Sequence, residues 1–101
     1  MAESIGYITL VAVIEREDGQ FVSYCPQLGV SSCGDSVEEA YDNLKDAVAV
    51  YLSALEETGE RARVFAEKRI KIQPKPGISL RRTVPKGKFI SECDLPIKVN
   101  V

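Results

Sequence analysis

The 101-residue chain contains no histidine and no tryptophan, and its three cysteines form no CxxC pair. Histidine is the commonest proton shuttle at neutral pH and the commonest metal ligand, so no Ser–His–Asp or Cys–His site can be built from this chain alone. Three thiols without histidine are also a poor start for a zinc site, which needs four ligands. We therefore expect no metal, no cofactor and no enzymatic activity.

Other features of a catalytic or exported protein are also missing. The segment from Tyr7 to Ile14 holds no acid, whereas a metal-dependent nuclease of the ribonuclease H type needs a carboxylate in the middle of its first strand. No glycine-rich phosphate-binding motif is present. The longest apolar run, Leu10 to Ile14, is far shorter than the roughly 20 residues of a membrane span. With no basic, apolar leader at the N-terminus, we expect a cytoplasmic protein.

In that compartment we expect Cys25, Cys33 and Cys93 to be reduced, partly buried thiols. A disulfide between Cys25 and Cys33 across a hairpin is the minority alternative.

Charge of one sign is scarce in each part of the chain. Residues 1–60 hold twelve acids and two bases, a net charge of −10, and residues 61–101 hold eleven bases and three acids, a net charge of +8. Three interpretations stay open. The basic tail packs on the acidic body, in its own subunit or a neighbour; or an acidic face binds a basic protein; or a basic face binds nucleic acid.

The length predicts a single domain over residues 1–101, with a core at 5–60 and a basic extension at 61–101. Gly6 to Arg16 alternates apolar residues on both faces, which predicts a strand that is central or covered on both sides. Phe21 to Cys25 and Gly29 to Cys33 follow as a returning strand and a short edge strand.

A long amphipathic helix is the clearest element. Ser36-Val37-Glu38-Glu39 forms a capping box, and Gly59 is a natural C-cap after Thr58. Between them one apolar stripe recurs at the helical period, formed by Ala40, Leu44, Ala47, Val48, Tyr51, Leu52 and Leu55.

The tail is less regular. Glu60 to Lys68 predicts a short helix and Ile70 to Ile72 an extended piece. Three short strands are expected at Ile78 to Val84, Lys88 to Ser91 and Ile97 to Val101, with a turn at Pro85-Lys86-Gly87-Lys88. The fold class is α+β: a small antiparallel sheet in the order β-β-β-α-β, one long helix on one face, and a strand-rich C-terminal extension.

The central part of the chain resembles the HicB antitoxin family. The shared pattern is aromatic-x-Pro-x-Leu followed by Ser-x-Gly-x-Ser-x-x-Glu-Ala-x-x-Asn-Leu, within residues 6–55. It is carried here by Tyr24, Pro26, Leu28, Gly34, Ser36, Glu39, Ala40 and Asn43. Taken as residues, these have structural roles: Pro26 and Gly34 shape turns, Glu39 caps the helix, Asn43 bonds nearby backbone, and Ala40 lets the helix sit close on the sheet.

The resemblance implies a degraded ribonuclease H fold, a homodimer or homotetramer, and neutralisation of a HicA-type toxin, a small basic protein that cleaves mRNA. It does not extend to the DNA-binding motif that ends the repressing members, because the tail has no second amphipathic helix of adequate length. For toxin binding we expect the acidic helix face of Glu38, Asp42 and Asp46 to be the contact.

Two alternatives are kept. The first is a nucleic-acid-binding protein that uses the basic residues around the predicted turn, Arg81, Arg82, Lys86 and Lys88. The second is an orphan oligomeric domain with an unknown ligand. An oligomer is also expected from the first strand, since one helix covers one sheet face and leaves the other needing cover.

Overall fold

The computed structural model describes residues 4–75, 81–84 and 88–99. Within them lie an antiparallel five-stranded sheet and two helices. The strands are β1 (Ser4–Glu17), β2 (Gln20–Cys25), β3 (Val30–Gly34), β4 (Arg81–Val84) and β5 (Lys88–Val99), and the helices are α1 (Val37–Thr58) and α2 (Arg61–Lys68). The sheet order is β3-β2-β1-β5-β4, so β1 is the central strand, as its two apolar faces predict. The predicted α+β class is confirmed.

The C-terminal strands differ from the prediction. Lys88–Ser91 and Ile97–Val101 were expected as separate strands, but residues 88–99 form one continuous strand, β5, that pairs with β1 along its length. Asp94 and Pro96 lie between the two predicted strands, and each fits the ladder. The Thr9 hydroxyl donates a hydrogen bond to the Asp94 carboxylate on the neighbouring strand.

Pro96 fits because of where its missing N–H would lie. Its partner on β1 is Tyr7, whose N–H and C=O both bond to Gln73 on the opposite side of β1, at 2.8 and 2.7 Å. Tyr7 and Pro96 are therefore a pair that exchanges no hydrogen bonds, and the ring nitrogen of Pro96 lies at the outer edge of β5. The edge is where a sheet tolerates proline.

One face of the sheet carries the core. Even-numbered residues of β1 and odd-numbered residues of β5 face α1, which packs its apolar stripe on them. The core cluster also includes Val64 and Phe65 of α2. The basic second part of the chain thus contributes both to the central sheet and to the core, through Cys93, Leu95 and Ile97.

Both helices begin and end near the predicted residues. Gly59, with φ at 73°, ends α1 in the left-handed conformation that glycine adopts most easily, and α2 follows directly. Ile70 to Ile72 is not a strand; only Gln73, just after it, forms an isolated bridge, to Tyr7. The turn predicted at Pro85-Lys86-Gly87 and the ends of the strands predicted at Ile78–Val84 and Ile97–Val101 lie outside the described residues. Neither described helix has the length and apolar character of a membrane span.

Candidate partner-binding surface

The β3–α1 junction holds most of the motif residues, in close backbone contact. Gly34 is buried, and a methyl group built on it would lie 2.5 Å from the backbone nitrogen of Ala40. Ala40 is itself fully buried, and its carbonyl accepts a bond of 2.8 Å from the buried Ser23 hydroxyl. The first turn of α1 therefore rests directly on β2 and β3, which requires small residues at both contact points.

Side-chain hydrogen bonds fix the same junction. The Ser36 hydroxyl accepts from the Glu39 amide at 3.0 Å, and the Glu39 carboxylate accepts from the Asp35 amide at 3.1 Å, one residue earlier than in the usual capping box. The Asn43 side-chain amide donates to the Cys33 carbonyl at 2.9 Å, the kind of backbone bond expected for this residue. These side chains bind the chain's own backbone.

The rest of the motif shapes the β2–β3 connection. Pro26 lies in the turn, Leu28 is buried in the core, and Tyr24 lies half exposed on the sheet face away from α1. Gln27, between them, is a residue the sequence analysis did not single out. Its side-chain oxygen, Oε1, accepts a hydrogen bond from the Val11 backbone amide at 2.8 Å, where β1 extends past the end of β2. A lone glutamine after a proline carries no signal in the sequence that could have revealed this role.

The acidic residues predicted to contact a partner lie together on α1. Glu38, Asp42 and Asp46 are spaced by four residues and are all exposed. At 100° per residue they drift by about 80° around the helix, so they form one row on its outer side. Among the described residues, Asp42 and Asp46 make no ion pair. We call Glu38, Asp42 and Asp46 the acidic row.

The nearest base on the same helix, Lys45, lies over an aromatic ring. The Lys45 ammonium lies 5.6 Å from the centre of the Tyr41 ring, an arrangement in which the ring face attracts the cation.

In α2, Arg63 pairs with Glu60 at 3.3 Å and Glu67 at 3.0 Å. The hydrogen bond and the charge of Glu67, with the charge of Glu60, raise the pKa of Arg63 above its ordinary value.

The basic residues predicted for nucleic acid do not all lie on one strand: Lys88 begins β5. Arg81 and Arg82 belong to β4, the edge strand, and Lys86 lies outside the described residues. The Lys88 ammonium is 3.2 Å from the Glu15 carboxylate on β1, a contact between the basic tail and the acidic body. Among the described residues, Asp42 and Asp46 thus make no ion pair, whereas Lys88 makes one with Glu15.

A groove between α1 and β5 is the second feature that the sequence analysis missed. It has a volume of about 380 Å³ and lies between Ala49, Leu52 and Ser53 on the helix and Leu95, Pro96 and Ile97 on the strand. Glu56 lies at its rim. The groove depends on how a helix and a strand 40 residues apart pack together, so no local pattern predicts it.

The thiols are free, so the disulfide alternative is wrong for this structure. Cys25 pairs in register with Val30 and Cys33 with Val22, which places the two cysteines on opposite faces of the hairpin. Cys25 and Cys93 are buried, and desolvation by burial is the main cause that raises the pKa of Cys25. No cluster of three or more potential metal ligands occurs in the described ranges.

Comparisons of the chain with protein-family models, with curated proteins and with solved structures found no match. What the molecule binds must therefore be argued from its own surfaces.

Proposed function

We propose that this chain is a non-catalytic binding protein, similar to HicB antitoxins, that neutralises a small basic mRNA-cleaving toxin of the HicA type in the cytoplasm. The observation that carries the proposal is the acidic row. Two of its carboxylates, Asp42 and Asp46, have no ion pair among the described residues, on a rigid helix whose other face is buried. Such a row attracts a basic protein and orients it before contact.

The motif supports the same proposal indirectly. Gly34, Ser36, Glu39, Ala40 and Asn43 fix the start of α1 on the sheet through close contacts and hydrogen bonds. An interface presented by a preorganised element loses less conformational entropy on binding than one presented by a mobile loop. In this interpretation the motif acts by holding α1, and the acidic row makes the contact.

The test begins with the reading frame adjacent to the one that encodes this chain. A basic product of roughly 60–80 residues carrying a histidine, as the resemblance implies, would be the toxin to purify. We expect the two proteins to form a complex in which RNA cleavage is suppressed. Because the attraction is electrostatic, the affinity should fall as the salt concentration rises.

The decisive variant is Glu38→Lys, Asp42→Lys and Asp46→Lys together, with Glu17→Lys, at the exposed end of β1, as the charge control. We expect the triple variant to lose at least about tenfold in affinity, or roughly 1.4 kcal/mol, and the control to bind as the parent does. Toxin inhibition that survives the triple change would show that the acidic row is not the contact.

Nucleic-acid binding through Arg81, Arg82, Lys86 and Lys88 is the second candidate, and the edge position of β4 supports it. The ion pair of Lys88 with Glu15 weighs against it, because a cation already paired releases less free energy on a phosphate. Gel retardation at low salt tests it: a shift that falls steeply with salt supports nucleic-acid binding, and no shift excludes it.

A homo-oligomer is part of the proposal. The sheet face away from α1 exposes apolar side chains, with Ile5 61% and Tyr24 37% exposed. A second copy covering this face would remove them from water. Light scattering coupled to size exclusion measures the mass directly, and a monomer at all concentrations would contradict this part of the proposal.

A further inference from the structure

The outer side of α1 changes character along its length. After the acidic row come Ala49, Val50 and Ser53, all exposed, and then Glu56 and Glu57. At 100° per residue, all of these positions lie within about one third of the helix circumference. Val50 is 71% exposed, which is high for a large hydrophobic residue. The helix thus presents an apolar window between two groups of carboxylates.

Beside this window lies the groove between α1 and β5. Ala49 and Ser53 are short side chains that line it from the helix, and Pro96, which is exposed, lines it from the strand. On the exposed side of α1, Val50, Ala54 and Glu57 form a shallow, open depression with the same Ala49 and Ser53. Short side chains between two depressions allow another helix to approach to the roughly 8–10 Å axial separation of packed helices.

The outer edge of β5 indicates that a partner bound in this groove is not an added strand. Beyond Ser91, where its pairing with β4 ends in the described residues, β5 runs on to Val99. An added strand would need regular N–H donors along this edge, and the ring nitrogen of Pro96, which faces outward, supplies none. A helix satisfies its own backbone and needs only side-chain contacts here.

Charge decides the chemistry of that helix. Asp42 and Asp46 lie before the window, and Glu56 and Glu57 lie after it. A partner with cations at both ends of an apolar patch matches this arrangement, whereas an acidic partner would be repelled at both ends. An apolar centre with a charged rim is also the usual anatomy of a protein interface.

We propose that the groove between α1 and β5, together with the adjoining window of Ala49, Val50 and Ser53, binds an amphipathic helix of a basic partner protein. The partner's apolar side chains enter the groove, and its lysines or arginines meet the carboxylates on either side. This inference rests on the proposed function and extends it, because it names the structural element that the partner inserts and the place where it binds.

The probe is a synthetic, fluorescently labelled helix of about 18 residues, made of leucine and lysine with the leucines on one face. A second peptide of identical composition, with its order scrambled, retains the charge and loses the apolar face. We expect fluorescence anisotropy to show at least about tenfold tighter binding of the amphipathic peptide. Amide shift changes in NMR spectra should concentrate at residues 46–57 and 95–97.

Two matched double variants distinguish the contribution of the groove to peptide binding from that of charge. Ala49→Gln with Ser53→Gln fills the groove with neutral, helix-compatible side chains, and Ala62→Gln with Ala66→Gln places the same spacing on exposed positions of α2. We expect the first pair to weaken binding of the amphipathic peptide at least about tenfold and the second to change it less than about twofold.

The outcomes distinguish this inference from the proposed function. If both peptides bind equally, or the groove-filling pair binds as the parent does, the groove proposal is overturned while toxin binding by the acidic row stands. If the groove-filling pair abolishes peptide binding while Glu38→Lys, Asp42→Lys and Asp46→Lys leaves toxin inhibition intact, the groove proposal is supported and the role of the acidic row is overturned.

Discussion

The two halves of α1 pack differently on the same sheet. The first half, from Val37 to about Ala47, is held by the buried contact of Gly34 with Ala40 and by side-chain hydrogen bonds to backbone. The second half leaves a groove against β5 and exposes Val50. Within the first half the tasks divide by face: its inner side fixes the helix, and its outer side carries the acidic row.

The motif and the proposed binding surface are formed by different residues. The motif residues that are easiest to recognise in the sequence are directed at the chain's own backbone. The residues on which we base the proposed contacts, Asp42, Asp46 and Val50, are exposed and belong to no motif. Substitutions in the two groups should therefore affect different measurements: stability for the first group and partner affinity for the second.

The largest expected effect is that of Gly34→Ala. The added methyl group would lie 2.5 Å from the Ala40 nitrogen, and its nearest neighbours are all helix backbone, which cannot move aside as a flexible side chain can. We expect a loss of about 3 kcal/mol in the free energy of unfolding, at the upper end for overpacking. Urea denaturation followed by circular dichroism measures it.

The control is Gly29→Ala, at a glycine with φ of 71° and open space around its Cβ position. It should cost about 1 kcal/mol, from backbone conformation alone. Equal losses in the two variants would mean that the close approach of α1 to β3 is not the reason for glycine at 34.

A smaller loss is expected for Asn43→Ala. The substitution leaves the Cys33 carbonyl without its side-chain donor, and it should lower the free energy of unfolding by about 1 kcal/mol. Affinity for a toxin, measured on folded protein by calorimetry, should stay unchanged. A variant that keeps its stability but loses affinity would place Asn43 in the contact. It would contradict the division between motif residues, which affect stability, and exposed residues, which affect affinity.

For the outer face the expectation is reversed. Asp42→Lys with Asp46→Lys alters two exposed side chains that pair with no described residue, so stability should change by no more than about 0.5 kcal/mol. Toxin affinity should fall at least about tenfold, as for the triple variant. Unfolding curves and binding isotherms from the same preparation measure the change in stability and the change in toxin affinity.

The smallest effect concerns pH. Burial raises the pKa of Cys25, so the folded state holds the thiol proton more tightly than the unfolded chain does. Stability from this group is therefore intact below the ordinary thiol pKa and declines as the pH rises above it. Cys25→Ala should reduce that decline in urea titrations, whereas Cys33→Ala, at an exposed position, should retain it.

Local patterns in the sequence predicted much of the first part of the fold. Ser36 and Gly59 mark the ends of α1 because capping is decided within one helical turn. The alternation of apolar residues in β1 predicted this strand, and Phe21 to Cys25 was predicted to pair with it, because strand patterns are also read over a few residues. The acidic row followed from helical spacing alone, and its exposure agrees with that spacing.

The C-terminal strands were harder to predict, because their evidence lies far away in the sequence. Asp94 and Pro96 interrupt any local strand pattern, and their tolerance depends on Thr9 and Tyr7 of β1, nearly 90 residues earlier. The groove likewise needs both Ser53 and Pro96 in place. Propensity and periodicity act over a few residues and do not register such pairings.

The sequence by itself determined the α+β class, the limits of α1, the segregation of charge and the absence of histidine chemistry, since each depends on composition or short-range spacing. The tertiary structure decided that β5 is one strand beside β1, that the motif holds α1 to the sheet, and that a groove opens beside Val50. These features depend on contacts between distant segments, whose free energy is realised only when the chain has folded.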